Sequence, residues 1–345
     1  MSRWVDAWYR DAGWLQALRP LAWLYRRGVE ARQRAYAAGR RTVWRSPVPV
    51  VVVGNLTLGG TGKSPLVAWL ARWLGEQGWR PGIVSRGYGG QAPRYPLYVN
   101  TDSDPAHSGD EPLMLAQQTG RPVVVDPDRP RGARKLIAAG CDIIIADDGL
   151  QHLALGRDLE LVVVDGAQGF GNGRCLPAGP LREPLSRLDS VDAVIVNGAS
   201  SDERPVAGYA MHLEPARWRH LTDDACYPIE RVPFSGRVHA MAGIGHPARF
   251  FATLSALGVA HDAHPLADHH RYSAEDLRFA DNRPVVMTAK DAVKCRRFAN
   301  ERCWALDVEA VPNPAFADWL RERLATLDAD RNDTLQPATC EVNDG

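Results

Sequence analysis

From Val48 to Val53 the chain is apolar and, Pro49 apart, β-branched, and further strand candidates follow at 81–85, 122–126, 142–146, 159–165 and 192–197. A strand wetted on one face alternates apolar with polar residues. The 48–53 run does not alternate, so it predicts a strand covered on both faces. Helical spacing fills the intervals at 62–77, 112–118 and 132–139. That alternation predicts an α/β fold, a mostly parallel sheet with helices on both faces, over 46–200. Residues 201–236 are rich in Pro, Asp, Arg and Gly and keep no clear period, as a passage between domains would. A second, smaller α/β domain is predicted at 237–328, opening at Arg237 with later strands at 284–288 and 303–308. The polar residues 329–345 predict a disordered tail.

The first 45 residues break from this pattern. They carry ten arginines against Asp6, Asp11 and Glu30, with Trp4, Trp8, Trp14, Trp23 and Trp44 among them. The apolar stretch 12–25 is interrupted by Arg19 and Pro20, too short and too broken to cross about 30 Å of hydrocarbon. Pro20 suits the first turn of a helix running on through Leu21, Leu24 and Tyr25. Tryptophan with arginine predicts an amphipathic segment, 1–45, lying in the headgroup region of a membrane. The other reading is a helix packed on the protein's own core with solvated arginines.

Composition adds mostly exclusions. A length of 345 residues suits two domains, and the formal net charge is zero, so no basic excess points to nucleic acid. Six cysteines without a Cys-x-x-Cys pair suggest neither a zinc ribbon nor a disulfide scaffold, and fit reduced thiols on the cytosolic side. The N-terminus has no clean apolar core followed by a cleavage site.

The chemistry gathers behind the first strand, at Thr57, Leu58, Gly59, Gly60, Thr61, Gly62, Lys63 and Ser64. Glycines let backbone N–H groups wrap an anion, Lys63 and the following helix add positive charge, and Ser64 offers a hydroxyl to Mg²⁺. Thr57 stands where the generic phosphate loop has its first glycine. The loop predicts binding of a nucleoside triphosphate. Asp147 and Asp148 end an apolar run at the expected ligand edge of the sheet, where they could hold metal or cap the next segment. Asp110 could cap a helix or accept a hydroxyl proton, with Glu111 helping to hold metal. Arg86 sits in a glycine-flanked loop able to reach a phosphate. The Pro/Gly-rich loop 171–184 carries Arg182 and Glu183, and its length suggests function. Farther on, His269 lies beside Asp268, and Lys290 and Lys294 follow a strand, so these lysines could face a cleft or open a solvated helix.

Taken in order, Gly54-Asn-Leu-Thr-x-Gly-Gly-x-Gly-Lys-Ser-Pro65, Ser85-Arg-Gly-Tyr-Gly-Gly90, Gly109-Asp-Glu-Pro112, Asp147-Asp-Gly-Leu-Gln-His152, Leu176-Pro-Ala-Gly-Pro-Leu-Arg-Glu183, Ala242-Gly-Ile-Gly-His-Pro247 and Thr288-Ala-Lys-Asp-Ala-Val-Lys294 resemble the tetraacyldisaccharide 4′-kinases of lipid A biosynthesis. The resemblance covers about residues 1–325, and Thr57 is what that family carries. It implies transfer of the ATP γ-phosphate to the 4′-hydroxyl of a tetraacyldisaccharide 1-phosphate, with ATP and Mg²⁺. It also implies two α/β domains with the site between them, at the cytoplasmic face of a Gram-negative inner membrane. On that resemblance Asp110 is the base with His269 beside it, and Lys63 neutralises charge. Ser64, Glu111, Asp147 and Asp148 serve metal, and Arg86, Gln151, His152, Arg182 and Glu183 serve substrate or the metal's surroundings. No obligate protein partner is evident. The rival reading is a P-loop switch NTPase acting on a protein, but the dimerising ATPases of that group usually place Lys just before the Gly-Gly, and Leu58 stands there.

Overall fold

A computed structural model describes residues 3–199, 206–268 and 270–335. Its strands are β1 Val50–Gly54, β2 Pro81–Ser85, β3 Leu97–Val99, β4 Val123–Val125, β5 Ile143–Asp147, β6 Leu159–Asp165, β7 Ala193–Asn197, β8 Tyr209–His220, β9 Cys226–Pro228, β10 Val238–Ala242, β11 His261–Pro265, β12 Val285–Thr288 and β13 Cys303–Pro312. The helices are α1 Arg3–Arg10, α2 Arg19–Ala37, α3 Lys63–Glu76, α4 Pro105–Ser108, α5 Asp110–Thr119, α6 Arg129–Ala138, α7 Pro247–Ala256, α8 Ala289–Cys295 and α9 Pro314–Leu335.

These strands form one sheet in the order β11-β10-β12-β13-β8-β7-β6-β1-β5-β2-β4-β3, with β9 on β8. Pairing is parallel except at β3–β4, β8–β9 and β8–β13. The β1 register explains its unbroken apolar run. Val51 and Val53 face a core built with Leu66 and Leu70 of α3 and Phe316 of α9, while Val50 and Val52 face Leu136 of α6 and Leu181. Each such buried aliphatic side chain contributes about 1.5–3 kcal/mol. Parallel pairing of β1 with β5 and β6 brings the C-terminal ends of these strands to one edge, where the phosphate loop and the Asp147 turn emerge.

The stretch expected as an irregular passage contains the longest strand. β8 pairs with β7 through Ile195, Val196 and Asn197, then runs antiparallel to β13. Arg217 and Arg219 on β8 both pair with the buried Asp307 of β13, at 3.2 and 3.0 Å. These charged residues look like loop in the sequence because their neutralising partner lies far along the chain. α9 also continues to Leu335, into the segment expected as a disordered tail, and Phe316, Leu320 and Leu324 anchor it to the core. Residues 336–345, the rest of that tail, lie outside the described residues.

The N-terminal arm is packed on the protein in part. Ala7, Trp8 and Leu15 pack against Leu58 and Leu176, whereas Trp4, Trp14, Leu21, Trp23 and Leu24 are exposed. Among the described residues no helix is long and apolar enough to cross a membrane.

Candidate active site

The loop after β1 turns into α3 at Gly62, whose φ of +95° belongs to the left-handed region. A Cβ there would lie 2.5 Å from Nδ2 of Asn197, which donates to the Thr61 carbonyl at 3.1 Å. The glycine thus satisfies both a backbone conformation and a close approach from β7. The loop 171–184 braces the other side. Leu58 N donates to Pro180 O at 2.9 Å and Arg182 N to Leu56 O at 2.7 Å. Side chains added at Gly59 or Gly60 would meet nothing within 4 Å, so the mouth of the loop is open.

Lys63, at the first turn of α3, stands 3.7 Å from the Asp148 carboxylate, and Arg182 donates to both Asp148 oxygens at 3.1 and 3.0 Å. Asp148 itself has φ +48°, uncommon for a residue with a side chain. Burial pushes its carboxyl up, but Lys63 and Arg182 outweigh that and hold it below the ordinary value. Asp147 differs. It is fully buried at the end of β5, accepts from Ser85 Oγ at 3.0 Å, and is raised to about 6 by burial, then by the Glu111 and Asp148 charges. Two adjacent carboxylates therefore sit in opposite electrostatic situations.

Asp110 and Glu111 open α5. The N-cap is Gly109, at φ +82°, and a Cβ there would meet the Tyr88 carbonyl at 2.7 Å. The Arg86–Gly90 loop therefore seats directly on the turn that launches Asp110. Asp110 is not the cap. Among the described residues its ion-pair partner is Lys294 of α8 at 3.5 Å, and Glu111 accepts from Lys290 of the same helix at 3.1 Å. Burial raises the Glu111 carboxyl, but Lys290 and then Lys63 bring it below its ordinary value. α8 thus meets the start of α5 at two side chains, and Gly245 comes close to the phosphate loop, a Cβ there lying 4.0 Å from Gly60 N.

Lys63, Asp148, Arg182, Glu111, Asp147 and Asp110 are accordingly grouped at one sheet edge. Other expected residues stand elsewhere. Arg86 is exposed. Gln151 donates to the Asn55 carbonyl at 3.4 Å, bracing the phosphate loop. His152 Nε2 accepts the Arg129 N–H at 3.4 Å, and burial, then Arg129, lowers it to about 4, so it is neutral near pH 7. Glu183 is buried, pairs with Arg187 at 3.2 Å, and accepts from Gln33 of α2 at 3.1 Å. His269 lies outside the described residues.

One buried residue escaped the sequence reading. Arg129, 2% exposed, donates to the Asp147 carbonyl at 2.7 Å, while its Nε and Nη1 have no hydrogen bond among the described residues. Burial lowers it to about 10, still cationic near neutrality. In Asp-Arg-Pro-Arg at a helix start it carries no signal that separates it from a solvated arginine.

Among the described residues, no set of three or more His, Cys, Asp or Glu forms a complete metal cage. A Mg²⁺ that keeps water and phosphate oxygens as ligands needs only one or two carboxylates. Asp147, buried and raised further by the Glu111 and Asp148 charges, offers the hard oxygens such an ion takes.

Residues 14–325 match the family model described as tetraacyldisaccharide-1-P 4′-kinase. A protein of Azotobacter vinelandii named tetraacyldisaccharide 4′-kinase is 52% identical over 327 residues, covering 94% of this chain and 98% of its own. Its namesake in Pseudomonas aeruginosa is 49% identical with the same coverage. A crystal structure of LpxK from Aquifex aeolicus in complex with ATP is similar at a TM-score of 0.77 and 28% identity, covering 90% of this chain and 98% of that one.

Proposed function

The chain belongs to the tetraacyldisaccharide-1-P 4′-kinase family, and on that premise we propose how its own residues carry the reaction. The protein is an ATP-dependent lipid kinase. It moves the γ-phosphate of ATP to the 4′-hydroxyl of tetraacyldisaccharide 1-phosphate in lipid A biosynthesis, and the switch-NTPase alternative is not favoured.

The observation that carries the residue assignment is the Lys63–Asp148–Arg182 ion cluster facing the Asp110–Glu111 turn across one sheet edge. In this reading the 57–64 loop holds the triphosphate by its N–H groups, and Lys63 neutralises charge developing on the β- and γ-oxygens. Asp110 accepts the proton of the 4′-hydroxyl as the new O–P bond forms and the bond from the γ-phosphorus to the bridging oxygen breaks, releasing ADP. Ser64, Asp147, Asp148 and Glu111 would hold Mg²⁺, which when bound adds electrostatic stabilisation of the transferring group. Arg182 and the exposed Arg86 supply further cations toward phosphate, and His269 is assigned as the partner of the base on the family resemblance. Gln151, His152 and Glu183 act by bracing the loops rather than by direct contact.

The working division we propose is an arm at 1–45, a nucleotide half at 46–200 and a smaller half at 237–328. The exposed Trp4, Trp14, Trp23, Leu21 and Leu24, with the arm's arginines, lie on the cytoplasmic surface of the inner membrane. A tetraacylated substrate does not readily leave a bilayer, so an enzyme resting on that surface meets it there. The test is label transfer from γ-labelled ATP, with Mg²⁺ and the tetraacyldisaccharide 1-phosphate in detergent. Labelled lipid that vanishes in Lys63→Ala supports the assignment; labelled lipid that persists in that variant removes Lys63 from it.

A further inference from the structure

We propose that Lys294 is a positioning residue for Asp110, holding the base in place from the opposite half of the molecule. The inference rests on the reading of Asp110 as the base. Asp110 is the first residue of α5, and Gly109 makes the cap, so no local backbone group fixes its side chain. Among the described residues its ion-pair partner is the Lys294 ammonium, 3.5 Å away and 9% exposed.

That ammonium is placed by a rigid support. Asp291, one turn earlier on α8, is fully buried, and its Oδ2 accepts from Gly243 N at 3.0 Å and from Thr288 Oγ1 at 2.7 Å. Among the described residues its Oδ1 has no hydrogen bond, and it faces Lys294 at 3.7 Å. The Tyr272 ring lies under the same ammonium, 5.6 Å from its centroid. Among the described residues Lys294 Nζ has no hydrogen bond of its own, although it is buried. A buried cation poised between two carboxylates, bonded to neither, is an unusual expense unless it serves their placement. Lys290, one turn away, hydrogen-bonds Glu111, so α8 grips the start of α5 at two points. Without Lys294, Asp110 and Asp291 would face each other with no charge between them, and Asp110 would turn away. A nucleophile-activating group displaced by about 1 Å can lose about 10²-fold in rate.

The experiment compares Lys294→Met, Lys294→Gln, Lys294→Arg, Asp110→Asn and the double variant Asp110→Asn/Lys294→Met in the detergent assay with Mg²⁺, ATP and the tetraacyldisaccharide 1-phosphate. Melting temperature and ATP affinity are measured alongside. Lys294→Met should lower kcat by about 10²-fold with ATP affinity and melting temperature near wild type. Lys294→Arg, which keeps the charge, should turn over faster than Lys294→Gln, and the double variant should be no slower than Asp110→Asn. If Lys294→Met fails to fold, the Arg–Gln comparison at matched melting temperature decides. Near-normal turnover in the uncharged variants while Asp110→Asn is inactive overturns the inference and leaves Asp110 as the base. Near-normal turnover in Asp110→Asn overturns both. Loss of ATP affinity or of melting temperature in step with turnover reduces Lys294 to a structural contact.

Discussion

Arg182 places one guanidinium nitrogen 3.1 and 3.0 Å from the two oxygens of Asp148, joining the 171–184 loop to the end of β5. Tyr25 of α2 in turn donates to the Arg182 carbonyl at 3.0 Å, so the arm, this loop and the phosphate site share one connection. Arg182→Met should cut turnover by at least about tenfold by releasing Asp148 beside Lys63. The pair stands partly in solvent, and screening keeps its share of stability to about 1 kcal/mol or less. Turnover and thermal melting measured together would check the split; an equal collapse of both would make the pair architectural.

Gly62→Ala combines a left-handed φ with a Cβ 2.5 Å from Asn197 Nδ2. Backbone strain of this kind costs about 1–3 kcal/mol, and here it falls on the loop that wraps the triphosphate. ATP affinity should drop more than melting temperature. Calorimetric titration of ATP into the variant reads the effect, and unchanged affinity would mean that the loop tolerates a shifted Asn197.

The neutral His152 predicts a pH signature. Its folded value is about 4 against an ordinary value of 6.5, so the folded state resists protonation. Its contribution is intact above 6.5 and is lost as pH falls through the window to about 4. Asp147, raised from 3.8 to about 6, works in the opposite sense, since its contribution is present below 3.8 and is lost as pH rises through about 6. The difference between wild type and His152→Gln isolates the histidine. Urea midpoints between pH 4 and pH 7 should fall less steeply on acidification in the variant. Parallel curves would show that His152 keeps its ordinary titration.

The exposed arm tryptophans supply a separate test. Trp14→Ser with Trp23→Ser removes two large exposed rings, 49% and 58% exposed, without touching the cluster of Trp8 and Leu15. Sedimentation with anionic vesicles should weaken while turnover in detergent persists. Unchanged sedimentation would move membrane contact away from these side chains.

How far the chain could be read depended on where each residue finds its partner. β2 and β6 fall on the expected bounds, and β1, β4, β5 and β7 within a residue or two, because burial on both faces leaves an uninterrupted apolar run. β8 could not be read this way, since Arg217 and Arg219 are neutralised by Asp307 nearly ninety residues later. The edge strand His261–Pro265 was equally hidden by its polar residues. At the candidate site, glycine and carboxylate placement singled out the 57–64 loop, Asp110, Asp147 and Asp148, which the fold brings to one sheet edge. The buried Arg129, and the supporting positions of Gln151 and Glu183, depend on contacts between distant segments that spacing does not encode.

The continuity of the sheet has a consequence for how the molecule can be taken apart. β8 shares three residue pairs with β7 and nine with β13, so it is bonded chiefly to a strand that follows it while closing the flank of the sheet formed by β1–β7. Expressed alone, a fragment ending near residue 199 would present β7 as a bare edge, and its complement would expose the start of β8. Unpaired edges of that kind recruit other chains. The two pieces are therefore poor stand-alone modules and good candidates for reassembly when produced together.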